Sequence, residues 1–99
     1  MNRGTTPTHI FTMSDTSIIK EIKITYAQKN VVVLEKRTED CIIEVGKVFV
    51  RLTQEETFKF SHNSLVDIQI RILTHDDNAL ISQIITVPVG VCLDNEVLV

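Results

Sequence analysis

Between Leu65 and Thr74 the chain reads Leu-Val-Asp-Ile-Gln-Ile-Arg-Ile-Leu-Thr. Side chains of a strand alternate from face to face, so Val66, Ile68, Ile70 and Ile72 share one side and Asp67, Gln69 and Arg71 the other. This pattern predicts a half-buried β-strand. Burying four branched side chains contributes roughly 1.5–3 kcal/mol each before the cost of ordering them, so the strand requires an apolar layer to lie against. The remaining sequence must supply that layer.

It does so in short runs of the same character. Thr8–Met13 reads as a first strand, with Ile10 beside Thr8 and Thr12 on one face and Phe11 and Met13 on the other, and with cover expected on both sides. Ile18–Ala27 alternates Ile22, Ile24 and Tyr26 against Glu21, Lys23 and Thr25, and β-branched crowding favours strand over helix. The break Gln28-Lys29-Asn30 leads at once into Val31–Leu34, which predicts an antiparallel hairpin whose turn type stays open without a glycine. Cys41–Val45 and Val48–Leu52 flank Gly46-Lys47, read as a Gly-led two-residue turn.

Thr53-Gln54-Glu55-Glu56 has a hydroxyl three residues before a glutamate, the spacing of a capping box. A short helical turn near Thr53–Phe58 is expected to carry the chain from one sheet to the other, with Phe58 and Phe60 plugging the end of the core. After the organising strand, His75–Asn78 forms a turn, and a hairpin partner runs from about Ala79 to Val89. Pro88 has no N–H to donate, which puts that end at a sheet edge or a bulge. Short strands about ten residues apart predict an all-β fold, an antiparallel Ig-like β-sandwich of about seven strands. Residues 1–7 form a flexible N-terminal arm, 8–90 the sandwich, and 91–99 a tail or short added strand ending in Val97-Leu98-Val99.

Composition narrows the function. Ninety-nine residues make one domain, with 43% hydrophobic and 23% charged residues. A net charge of −3 with scattered Lys and Arg argues against nucleic acid. No apolar run approaches the ~20 residues of a membrane span, and no signal-peptide core follows the single N-terminal Arg, so the chain is expected to be made in a cytoplasm. Cys41 and Cys92 have no zinc-ligand spacing and read as half-buried strand residues rather than a disulfide.

No residue pattern supports catalysis or a cofactor. His9, His62 and His75 lie in three separate segments, and the last two flank opposite ends of the organising strand, so no metal site is expected. Asp76-Asp77-Asn78 is oxygen-rich and calcium there is conceivable, yet it lacks the twelve-residue ligand loop and its glycine, which favours a plain turn. The carboxylate pairs Glu55/Glu56 and Glu39/Asp40 suit a helix start and a solvated loop better than acid–base chemistry. Glycines are isolated at Gly4, Gly46 and Gly90, with no phosphate loop and no nucleophile motif. What remains is association, through the outward Asp67, Gln69 and Arg71, the apolar Val97, Leu98 and Val99, and open sheet edges.

Three stretches resemble small virion-associated β-sandwich proteins of phages and prophages of Gram-positive bacteria: Leu52–Phe60, Val66–Leu73 with the turn Asp76–Asn78, and Ile81–Val89. The order is also similar to the N-terminal domain of phage baseplate upper proteins, whose fibre-forming remainder has no counterpart in these 99 residues. The resemblance implies a non-enzymatic accessory of the virion, made in the host cytoplasm, binding other phage structural proteins of head, tail or baseplate and forming a homo-oligomer. The alternative is a small phage-encoded inhibitor that binds a bacterial defence protein. A carbohydrate-binding sandwich ranks below both, since the chain has no Trp to stack on sugars.

Overall fold

The computed structural model describes residues 1–82, 84–94 and 96–99. Its strands are β1 (Thr8–Thr12), β2 (Ile19–Gln28), β3 (Val31–Arg37), β4 (Cys41–Glu44), β5 (Lys47–Arg51), β6 (Val66–Thr74), β7 (Ala79–Ile81) and β8 (Ile85–Val87). They form two antiparallel sheets. The small sheet has the order β1-β5-β4, and the large one β3-β2-β6-β7, with β8 also on β6. The fold is an all-β sandwich, with eight strands because the expected partner Ala79–Val89 is divided.

That division has a local cause. Arg71 faces Ile81 and Ile68 faces Ile85, so the outer chain carries one residue more than β6 between these pairs. The backbone N–H of Ser82 donates to the Ile70 carbonyl at 2.8 Å, while the Ser82 hydroxyl accepts the Ile70 N–H at 2.9 Å, standing in for a ladder carbonyl.

β6 behaves as its alternation requires. Val66, Ile68, Ile70 and Ile72 are buried and join Ile22, Ile24 and Tyr26 of β2, Leu34 of β3, and Val48 and Val50 of β5 in one core with Leu52, Phe60 and Val89. β1 departs from the expectation of cover on both sides, since Ile10 is exposed and only His9, Phe11 and Met13 turn partly inward. A three-stranded sheet leaves its flank on one side to water.

The turns sort by backbone conformation. Gln28 pairs with Val31, and Lys29 and Asn30 have φ of 50° and 64°, so this hairpin closes through two left-handed residues, the pattern of a type I′ turn without glycine. Glu44 pairs with Lys47, which places the next turn on Val45-Gly46, one residue earlier than expected, with Gly46 at φ 77°. After β6, the left-handed residue is Asp77, at φ 62°.

Helix α1 (Gln54–Phe58) starts with the expected reciprocal cap. The Glu56 N–H donates to Thr53 Oγ1 at 3.1 Å, and the Thr53 N–H donates to Glu56 Oε1 at 2.8 Å. Two unsatisfied donors are thereby used. α1 leads from the small sheet to the large one as expected, but only Phe60 enters the core; Phe58 packs outside it, against Gly4 and Arg3.

Residues 1–7, expected to be a loose arm, make defined contacts. The Met1 ammonium donates to Pro88 O at 3.0 Å, Gly90 N–H to Met1 O at 2.7 Å, and Arg3 N–H to Gly90 O at 3.3 Å, a parallel bridge of Asn2 with Gly90. A Cβ on Gly90 would overlap the Asn2 side chain. Arg3 also donates to Phe58 O and lies 5.5 Å from that ring's centroid.

Candidate interaction surface

The side chains best equipped for chemistry are built into the packing. His9 Nδ1 and the Tyr26 hydroxyl are 2.7 Å apart, and Tyr26 meets Phe60 edge-on at 6.0 Å between centroids. Burial, helped by the positive N-terminus, holds His9 below its ordinary pKa, and burial with the nearby acidic Cys41 and Glu56 pushes the Tyr26 phenol up. Both sides of the pair therefore favour their neutral forms. Cys41 is half-buried in β4, and burial first, then Asp40, raises its thiol pKa. Cys92 is also free and half-buried, but outside any strand, and its Sγ contacts Asp94 O at 2.8 Å.

Gln28, Lys36, Thr57 and Thr74 are buried polar residues with partners, and the first two tie separate elements together. Gln28 donates to Ser61 O and Ser64 O and accepts from the Ser61 N–H, pinning the loop before β6. Lys36 reaches from β3 to Glu56 on α1, 2.6 Å from Oε2 and 2.8 Å from Oε1. Burial would raise the Glu56 pKa, but the hydrogen bonds from Lys36 and Thr53 and the Lys36 charge outweigh it and hold the carboxyl below its usual range.

Among the described residues, no three His, Cys, Asp or Glu side chains gather as a metal site requires, and no helix is long and apolar enough to cross a membrane. Asp76–Asn78 forms a turn whose Asp77 pairs with Lys20 at 3.6 Å.

The outward residues of β6 follow the expected side but differ in their engagement. Asp67 accepts from the Thr86 hydroxyl at 2.9 Å, and Gln69 donates to Ser82 O at 3.5 Å. Arg71 is exposed and has no ion-pair partner among the described residues. Across the sheet it faces Lys23, which faces Arg37, so three cations form one row on β6, β2 and β3. The trio was invisible in sequence because its members come from three strands.

The C-terminal candidates lie elsewhere. Val97 is half-buried beside Thr6, Arg51 and Gln54, while Leu98 and Val99 are exposed. The Gln54 side chain holds Leu98 from both sides, donating to its carbonyl at 2.9 Å and accepting its N–H at 2.8 Å.

The edges are unequal. β3 and β4 carry charges, including Glu35, Arg37 and Glu44, that discourage strand pairing. The β7–β8 edge carries none from residue 79 to 87, and β1, the other edge of the small sheet, carries none from residue 8 to 12. Leu80 and Ile85 stand opposite the core residues Ile72 and Ile68, yet they are 47% and 44% exposed; Ile81 and Ile84 are exposed too. Beyond this margin, Pro88–Gly90 is covered by Met1–Arg3.

Comparison with protein-family models, with curated proteins and with solved structures finds no match to this chain.

Proposed function

We propose that the domain is a non-enzymatic association module that pairs its β7–β8 margin with an extended segment of another protein. One observation carries the reading: an uncharged sheet edge whose inward side chains, Leu80 and Ile85, remain half in water. Strand addition would satisfy the open backbone groups and cover those side chains in one step. The neutral His9–Tyr26 pair and the raised Cys41 pKa also support a packing role for the groups most able to do chemistry. On the resemblance of Leu52–Phe60, Val66–Leu73 and Ile81–Val89 to virion-associated proteins, the partners are other particle proteins and the place of action is the virion.

A photo-crosslinking residue in place of Ile81 tests this in assembling particles. The expected result is stoichiometric incorporation and a crosslink from position 81 to a second virion protein. Absence of the chain from purified particles would refute the virion assignment. Crosslinks that arise from position 42 on β4 but not from 81 would refute the choice of edge.

A further inference from the structure

The side-chain carbonyl carbon of an asparagine can be attacked by the backbone nitrogen of the next residue, which closes a cyclic succinimide and expels ammonia; water then opens the ring to aspartate or isoaspartate. The reaction needs an exposed amide, a backbone able to swing that nitrogen toward the side chain, and no branching at the next Cβ. The chain has Asn2, Asn30, Asn63, Asn78 and Asn95, the last outside the described residues. Asn2, Asn30 and Asn78 are held. The Asn2 side chain lies against Gly90, and the following Arg3 N–H donates to Gly90 O at 3.3 Å. Asn30 closes the β2–β3 hairpin in a left-handed conformation and precedes the β-branched Val31, which pairs with Gln28. Asn78 donates its N–H to Thr74 Oγ1 and accepts the Thr74 N–H at its carbonyl, and Ala79 opens β7 opposite Leu73.

Asn63 differs on each count. It is exposed in the His62-Asn63 turn, and among the described residues its one hydrogen bond runs from its N–H to Ser61 Oγ at 3.2 Å. Ser64 follows, with an unbranched Cβ. We propose that Asn63 is the site of spontaneous succinimide chemistry in this chain. The Ser64 nitrogen bonds to Asn63 Cγ, the bond from Cγ to the amide nitrogen breaks, the proton from the Ser64 nitrogen leaves on ammonia, and one water opens the ring to aspartate or isoaspartate. The two products act differently on the fold. Gln28, 8% exposed, holds both ends of this turn, donating to Ser61 O at 2.7 Å and to Ser64 O at 3.1 Å. Aspartate leaves the spacing of those carbonyls intact. Isoaspartate routes the backbone through the side-chain methylene and lengthens the chain between them by one atom, so the Gln28 clamp loses an acceptor and the entry to β6 loosens.

Peptide mapping by mass spectrometry, on the full folded chain aged at mildly alkaline pH in heavy-oxygen water, tests the site. Asn63 loses its amide and takes up heavy oxygen ahead of Asn2, Asn30 and Asn78, and Ser64→Val slows it severalfold because a branched Cβ obstructs the attacking nitrogen. In urea the fold no longer protects Asn78, whose conversion then approaches that of Asn63. Conversion at Asn2, Asn30 or Asn78 ahead of Asn63 in the folded chain, an unchanged rate in Ser64→Val, or no gain at Asn78 in urea would each overturn the proposal. Urea denaturation of the chromatographically separated products tests the clamp. The isoaspartyl form unfolds at a lower urea concentration than the fresh chain, whereas Asn63→Asp keeps the midpoint of the fresh chain. An isoaspartyl form with an unshifted midpoint, or an equal loss in Asn63→Asp, would overturn the role given to Gln28.

Discussion

Replacing Lys36 by Met isolates the one ion pair among the described residues that the fold has taken largely out of water. The two side chains are 10% and 19% exposed, and the ammonium touches both carboxylate oxygens. Removing one partner of a fully buried pair costs about 3–5 kcal/mol, and removing an exposed pair costs about 0–1 kcal/mol. Glu56 lies between these limits and keeps the Thr53 N–H, so Lys36→Met should destabilise the domain by about 2 kcal/mol at neutral pH, lowering Tm by about 10 °C in a chain of this size. The effect has a pH signature. Because the folded-state pKa of Glu56 is depressed below its ordinary 4.5, its contribution is complete above that value and is lost as pH falls through the folded pKa. In the variant, burial acts without the ammonium to oppose it, so the carboxyl takes up its proton earlier. The deficit measured by urea denaturation should therefore shrink as the pH is lowered toward about 3, and adding Glu56→Gln should recover part of it at neutral pH. A deficit below about 0.5 kcal/mol at neutral pH, or one that does not change with acid, would refute this account of the pair.

Two further changes probe other parts of the fold. Gly90→Ala forces a methyl onto the Asn2 side chain and should cost about 1 kcal/mol in thermal unfolding, with Asn2→Gly restoring most of the loss; an additive double mutant would show that the two residues do not meet. His9 has a folded-state pKa below its ordinary 6.5, so its contribution to stability is full above that value and declines as pH falls through the folded pKa. Urea midpoints of the wild type and His9→Gln should converge between about pH 7.5 and about pH 5, and an imidazole NMR titration at or above the ordinary value would contradict the reading.

Features that depend on neighbours in sequence were legible, and features that depend on neighbours in space were less so. The period-two pattern of Val66–Ile72 and the Thr53–Glu56 cap each state their own geometry locally, and both are found. The Gly46 turn lies one residue earlier than its sequence suggests, because a glycine marks a left-handed position without saying whether it comes first or second in the loop. Lys29-Asn30 carries no glycine, so its two left-handed residues follow from the pairing of β2 with β3. Residues 1–7 read as loose because their anchors are mainly backbone groups, the carbonyls of Pro88, Gly90 and Phe58, which no sequence pattern advertises. The cationic row has the same origin. The outward position of Arg71 is legible from its own strand, but Lys23 and Arg37 join it only through the register of three strands.

The pairing order has a consequence for how the chain reaches this state. β2 and β3 are joined by two residues, whereas β2 must wait for β6 and β1 for β5, each across a long intervening stretch. Such distant pairings slow folding, since loop entropy is lost before the contacts compensate for it. During synthesis the first hairpin can close while the other flank of β2, with Ile22, Ile24 and Tyr26, is still unmatched. Until Val66–Thr74 leaves the ribosome, that flank is open to strands from other nascent chains, which makes the delay of β6 the stage at which misassembly competes with folding.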